Sequence, residues 1–165
     1  MTNIESQRRP VPLADGGELD TALAFLGFAR ESVLKKTEGL AEEQLRRVLV
    51  PTGTNLLGLV QHLTAAERYW FGYHVAGREQ YRDADFDMAV PEDVPVERVL
   101  ADYREACAAS DAVLRGADPS HPAAVPVAGA PRSVRWVLAH MTGETTRHAG
   151  HADILREQLD GTTGR

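Results

Sequence analysis

A cluster of side chains able to bind metal lies within one predicted helix near the C-terminus. The segment SVRWVLAHMTGETTRHAGHADILREQLD, residues 133–160, carries His140, Glu144, His148 and His151. Their spacings of four, four and three residues place all four side chains on one face of a helix. Imidazole and carboxylate groups ligate metals and transfer protons, whereas a packing stripe would carry leucine or isoleucine. The sequence therefore predicts a chemically active face on this helix.

A further histidine, His62, lies mid-way along an earlier helical segment, residues 55–76. It lies beside the apolar stripe of that segment, so we expect it to face inward or nearly so. Glu144 and His148 project side by side from the later helix, and the three side chains can meet inside a bundle. This set suits Zn²⁺, and also Ni²⁺, Fe²⁺ or Mn²⁺. Three protein ligands leave coordination positions open for water or substrate, as catalytic sites do.

His151 follows His148 by three residues, and the spacing leaves three roles open to it. It can be a fourth ligand, a group that holds a ligand in place, or a general base.

Simpler explanations exist for each residue taken alone. His62 fits a hydrogen-bonded core histidine, and His140 fits packing near the start of its helix. Glu144 and His148 fit a helix-stabilising pair contributing about a few tenths of a kcal/mol. However, burying one carboxylate and two imidazoles without a partner would cost several kcal/mol. A metal site is therefore the favoured interpretation of the set.

Helical periodicity recurs in four segments of the chain. They span residues 18–38, 55–76, 95–115 and 133–160. The connector 40–54 carries one further helical turn or two, the acidic segment 78–94 is a long loop of the kind that is often functional, and 117–132 is a proline-containing loop. Residues 1–14 are expected to form an extended arm. The sequence thus predicts an all-α fold, a four-helix bundle with long connecting loops, in a single domain over 1–165.

Composition excludes several classes of protein. A length of 165 residues fits one domain, and a net charge of -6 disfavours nucleic-acid binding. Runs long and apolar enough to span a membrane are absent from the sequence, and the N-terminus lacks the apolar core of a secretion signal. Cys107, the sole cysteine, cannot form an internal disulfide and is expected to be an inert core thiol. We therefore expect a cytoplasmic monomer or homodimer.

Two segments resemble the signature segments of the DinB-like, or YfiT-like, metal-dependent four-helix-bundle superfamily. They are TGTNLLGLVQHLTAAERYWF and RSVRWVLAHMTGETTRHAGHADILREQLDG, within a resemblance that runs from GELDTALAFL to LREQLDG. The part ending RHAGHADILRE is the more specific, and the two segments resemble, more narrowly, the actinobacterial branch of uncharacterised members. The resemblance implies a divalent metal held by one residue of the second helix and two of the fourth.

By this resemblance the metal ligands would be His62, Glu144 and His148. Glu144 stands where many members carry histidine, but a His, Glu, His set is similar to that of the N-terminal domain of mycothiol-dependent maleylpyruvate isomerase. The departure therefore bears on metal preference rather than on metal binding, and zinc is the first expectation. The family pattern also favours His151 as a neighbouring base over a fourth ligand.

The resemblance further implies a low-molecular-weight thiol, mycothiol or bacillithiol, as cosubstrate, bound by the metal as the reactive thiolate. The expected function is that of a metal- and thiol-dependent transferase or isomerase acting on a small electrophile, with no DNA contact. One alternative is a non-catalytic metal-binding bundle with a structural or sensing role, which a ligating His151 would favour. Another is a metal-free partner-binding bundle, with its histidines facing solvent or backbone carbonyls.

Overall fold

The computed structural model describes residues 10–163 of the chain, and these fold into a helical bundle. In chain order the α-helices are α1 (Glu18–Lys35), α2 (Glu42–Arg46), α3 (Leu56–Glu67), α4 (Val96–Arg115) and α5 (Val134–Asp160). A π-helix, Arg68–Val75, continues α3, and a 3₁₀ turn, Glu79–Tyr81, follows it. The predicted all-α four-helix bundle is confirmed, with α2 as the short turn expected in the connector.

The predicted N-terminal arm falls only partly within the described residues. Residues 1–9 lie outside them, while residues 10–14 have no regular secondary structure and are mostly exposed. Within residues 10–163, none of the helices is both long and apolar enough to cross a membrane.

Side-chain caps fix where α3 and α5 begin. The Asn55 side chain accepts a hydrogen bond from the Gly58 N–H at 2.8 Å, and the Ser133 hydroxyl accepts one from the Trp136 N–H at 3.4 Å. Each cap accepts a hydrogen bond from a backbone N–H in the first turn, which has no acceptor within the helix. α5 ends at Asp160 and is followed by Gly161, whose φ of 74° lies in the left-handed region that glycine tolerates best. These caps set the register of the two helices that carry the candidate metal residues.

The helix that follows the connector differs from the expected uninterrupted α-helix to Ala76. Its last eight residues, Arg68–Val75, are π-helical, and the Ala76 N–H donates to the Phe71 carbonyl, five residues back, at 3.1 Å. π-Helical segments are rare and frequently found at functional sites. The prediction missed it because one additional residue in a turn changes the periodicity too little to be read from sequence. The first helix also ends earlier than expected, at Lys35 rather than Glu38, and continues as turns up to Gly39.

Helix α5 packs mainly against α1, and α3 packs mainly against α4. The core consists of two apolar clusters, one around Leu59 and Tyr103 and the other around Leu26 and Phe71. On α1, Arg30 falls between Leu26 of one cluster and Val33 of the other. The boundary between the clusters is therefore charged.

A buried ion network fills that boundary. The Arg30 guanidinium donates to both carboxylate oxygens of Glu67, at 2.8 and 2.7 Å, and to Asp111 at 2.6 Å. Burial works against the charge of Arg30, but Glu67 and Asp111 outweigh it and raise its pKa. Burial, followed by the charge of Glu67, also raises the pKa of the neighbouring Cys107 thiol to about 12. The thiol is therefore protonated at neutral pH, as expected of an inert cysteine.

The acidic segment 78–94 lies directly on α3. A Cβ on Gly58 would come within 2.0 Å of the Met88 carbonyl oxygen, so only glycine permits this approach. One turn further on, the Gln61 side chain donates to the backbone carbonyls of Asp87 and Ala89 at 3.2 and 3.1 Å. These contacts hold the loop beside His62.

Candidate metal centre

His62 of α3 and the pair Glu144 and His148 of α5 converge between the two helices. One ligand atom from each lies within 4.8 Å of the other two. His148 Nε2 is 2.9 Å from Glu144 Oε1, and His62 Nε2 is 3.5 Å from the same oxygen. All three side chains are largely buried, with exposed fractions of 15, 14 and 7% for His62, Glu144 and His148. The geometry thus brings together the three residues that the sequence picked out.

The ring of His62 is held by the loop that covers α3. Its Nδ1 lies 2.9 Å from the Phe86 carbonyl oxygen, and its ring centroid is 5.8 Å from that of the Phe86 side chain. Because a carbonyl oxygen can only accept, Nδ1 carries the hydrogen, and in the neutral form of the ring Nε2 then has the lone pair. That lone pair is on the nitrogen next to Glu144. A backbone carbonyl in this place is the usual partner of a metal-ligating histidine.

His151 contacts the other edge of the His148 ring. The two Nδ1 atoms are 3.3 Å apart, whereas His148 Nε2 faces Glu144. Within residues 10–163 the group of converging ligand atoms consists of His62, Glu144 and His148, without His151. A hydrogen on His148 Nδ1 can be donated to His151 while Nε2 ligates, and this would fix the tautomer of His148. Of the three roles left open for His151, the arrangement favours a group that holds a ligand in place or a general base over a fourth ligand.

The other histidines have partners outside this group. The His140 ring stacks on Trp136 with centroids 5.6 Å apart and lies 4.3 Å from the Trp70 ring, which confirms the expected packing role. His74 is buried with its Nδ1 3.1 Å from the Val125 carbonyl. His121 is exposed and approaches Asp118 at 3.6 Å.

The charges around the centre favour the ligand forms of both α5 residues. Burial works against the charge of Glu144, but the hydrogen bond and charge of His148, with His62 and Arg147, outweigh it and lower the pKa of Glu144. Burial also lowers the pKa of His148, against the opposing pull of Glu144. A carboxylate and a neutral imidazole are the forms that bind metal. Both shifts therefore favour metal binding by these two side chains.

Two groups at the site were not singled out from sequence. Arg147 donates to Glu144 Oε2, and its spacing of three from Glu144 was a readable signal for this pair. The Phe86 carbonyl carries no such signal, since a backbone atom is the same in every residue type.

We expect Zn²⁺ binding to be constant between about pH 7 and 8 and to weaken below about pH 6, because protonated imidazole cannot ligate. Because the pKa of His148 is lowered, protons compete with the metal for its ring nitrogen only at a more acidic pH than for a free imidazole. Below the pKa, each competing proton costs about tenfold in affinity per pH unit. Calorimetric titration between pH 5 and 8 measures this, with His121→Gln as a control for a histidine outside the centre. Equal affinity at pH 5 and 7 would rule out imidazole ligands.

Comparison of the sequence with known protein families identifies the family of this chain. The Mycothiol-S-transferase family model matches residues 21–161, which include all three converging residues and nearly all of the four long helices. A search of curated proteins finds no significant match. The family is part of the DinB-like superfamily, so the resemblance seen in the two signature segments is confirmed. The chain belongs to the Mycothiol-S-transferase family.

Proposed function

We propose that this protein is a divalent-metal-dependent transferase that joins mycothiol to a small organic electrophile. Membership of the family supports thiol transfer at the level of the family. The observation that carries metal dependence is the convergence of His62, Glu144 and His148 within 4.8 Å. Two imidazoles and a carboxylate fit a divalent ion of the zinc type. Zinc is the first candidate, with nickel, iron or manganese as alternatives.

Each proposed ligand has a neighbour that holds it. The Phe86 carbonyl accepts from His62, Arg147 donates to Glu144, and His151 contacts His148. Such partners orient ligands and commonly change metal affinity by about 10–100-fold when they are removed. A bound divalent ion supplies Lewis acidity that favours the thiolate form of a thiol. His62, Glu144 and His148 would hold that ion beside the reacting thiol.

His151 is the proposed proton acceptor. Its ring is exposed on α5 and touches the ring of His148, so it connects the centre with solvent. Histidine has a pKa near neutrality, as a general base requires. The thiol would lose its proton to His151, and the thiolate sulfur would attack the electrophile.

A non-catalytic metal site would be better served by four protein ligands. The described residues bring three ligand atoms together, which favours an open site and hence catalysis. The metal-free alternative requires histidines that face solvent or backbone carbonyls. His62 contacts the Phe86 carbonyl, but the His148 ring is largely buried against Glu144 and meets neither condition, so this alternative has less support.

The test is a transfer assay on protein purified without a histidine tag, in the metal-free and zinc-reconstituted forms. Mycothiol is offered with a panel of small electrophiles, and loss of free thiol is measured. We expect turnover in the reconstituted form and little in the metal-free form. Equal rates in both forms would contradict metal dependence, and the absence of transfer across the panel would contradict the transferase proposal.

The His151→Gln variant separates a base from a ligand. It keeps polarity and approximate size but removes the basic ring nitrogen. We expect metal content to stay near one ion per chain while turnover falls by about 10²–10⁴-fold. His121→Gln, which changes an exposed histidine far from the centre in sequence, serves as the matched control. Loss of metal in His151→Gln would instead make His151 a ligand and would favour a structural role for the ion.

A further inference from the structure

A largely apolar cleft of about 270 Å³ lies beside His151. It is formed where the connector that precedes α3 meets the C-terminal half of α5. Its lining residues are Val50, Thr52, Thr54, His151, Ile154 and Leu155.

The cleft is separated from the candidate metal centre by two imidazole rings that contact each other. His151 lines the cleft, and its Nδ1 is 3.3 Å from Nδ1 of His148. The opposite nitrogen of His148 faces Glu144 at 2.9 Å. A molecule that fills the cleft therefore touches His151, the proposed base, whose ring contacts that of the proposed ligand His148.

The chemistry of the lining restricts the occupant. None of the described residues that line the cleft is a carboxylate, a lysine or an arginine. The hydroxyls of Thr52 and Thr54 are bonded to each other at 3.1 Å, which leaves little demand for a strongly polar ligand. Ile154 is 56% exposed, so covering it would remove apolar surface from water. An uncharged, largely apolar molecule satisfies these conditions.

The volume also restricts the occupant. At roughly 30 Å³ per water in the liquid, 270 Å³ holds about nine waters, or a molecule of about a dozen non-hydrogen atoms. A second cleft of about 630 Å³ lies on another face of α3 and is lined by Arg68, Asp85 and Asp102 among others. Those charged side chains suit a polar ligand. The smaller cleft is the better fit to a small organic electrophile.

We propose that the cleft beside His151 is the acceptor subsite, which binds the apolar body of an uncharged electrophile of about a dozen non-hydrogen atoms. This rests on the proposed function. The thiolate sulfur forms a bond to the acceptor carbon, the leaving group departs with its bonding electrons, and the proton lost by the thiol ends in solvent. The step consumes no oxidant or reductant.

The test uses two matched probes on the zinc-loaded protein. 1,3-Dinitrobenzene has no leaving group and reports binding alone, by NMR titration of the His151 ring signals without thiol. 1-Chloro-2,4-dinitrobenzene has a chloride leaving group and reports transfer. The Val50→Trp variant fills the cleft, and Val48→Trp, at a 55% exposed position in the same connector, is the control.

We expect Val50→Trp to weaken dinitrobenzene binding at least tenfold and to raise the KM for the chloro compound equally, with the KM for mycothiol unchanged. Val48→Trp should behave as the native protein does. Ile154→Asp, at an exposed position, provides a second variant in case Val50→Trp does not fold, and it should weaken binding similarly. Unchanged binding in a folded cleft variant would overturn the subsite. Binding that is lost in the variants while the native protein transfers no thiol would support the subsite and contradict the proposed function instead.

Discussion

The His148→Ala variant is expected to retain almost no divalent metal, against about one ion per chain in the native protein. The change removes the Nε2 atom that lies 2.9 Å from Glu144 Oε1 and leaves two of the three converging ligands. The loss should exceed the about 10–100-fold that removal of a ligand's neighbour costs. Elemental analysis of untagged protein after extensive dialysis measures it. His62→Ala should behave in the same way, because it removes the ligand that α3 supplies.

The matched control for this experiment is His140→Ala. His140 lies on the same helix and the same face, four residues before Glu144, but its ring packs on Trp136 and Trp70. It should keep the full metal content. Stoichiometric metal in both His148→Ala and His62→Ala would show that the ligands lie elsewhere, and the proposed centre would be abandoned.

The Glu67→Gln variant is expected to lower the free energy of unfolding by about 3 kcal/mol, since breaking a buried ion pair leaves an uncompensated charge. Glu67 is fully buried, and both its oxygens accept from Arg30. The estimate is at the lower end of the usual range of roughly 3–5 kcal/mol because Asp111 still accepts from Arg30. Urea denaturation measures the change.

The large loss of stability is expected because the Arg30–Glu67 pair is buried, not because of its hydrogen-bond geometry. A second ion pair with similar geometry tests this. Arg135 donates to both oxygens of Glu18 at 2.6 and 2.9 Å, much as Arg30 does to Glu67, but both of these side chains are about half exposed. Glu18→Gln should therefore change stability little. Conversely, replacing both buried charges, as in Arg30→Met with Glu67→Leu, should recover much of the loss. If Glu67→Gln were no more harmful than Glu18→Gln, the buried network would not be a stabilising element.

The helices and part of the centre could be predicted from sequence because their signals are local. Asn55 and Ser133 have the side chains that cap helices, and the apolar repeats that follow them give the helical faces. The spacing of four between Glu144 and His148 places both on one face whatever the rest of the fold. The partnership with His62 depends on which helices face each other. The inward position of His62 on its helix allowed that meeting to be expected, and the resemblance to a known family strengthened the expectation.

Other features depend on contacts that leave no periodic pattern. Arg30 and Glu67 are 37 residues apart, and neither residue type indicates that it will be buried. The direction of His151 depends on side-chain rotation, which decides which edge of the His148 ring it meets. The loop over α3 is read only in retrospect from Gly58, whose missing side chain admits the Met88 carbonyl.

The contact between this loop and His62 would couple the conformational order of the loop to the presence of a cation at the proposed centre. One nitrogen of His62 is bound to the Phe86 carbonyl, so a cation on the other nitrogen restrains ring and loop together. Thermodynamic linkage is reciprocal: whatever factor an ordered loop adds to cation affinity, the cation adds to the population of the ordered loop. Amide hydrogen exchange along residues 85–90 would then report whether the centre is occupied. In this way a segment that contributes none of the three converging ligand atoms would respond to a cation at the proposed centre.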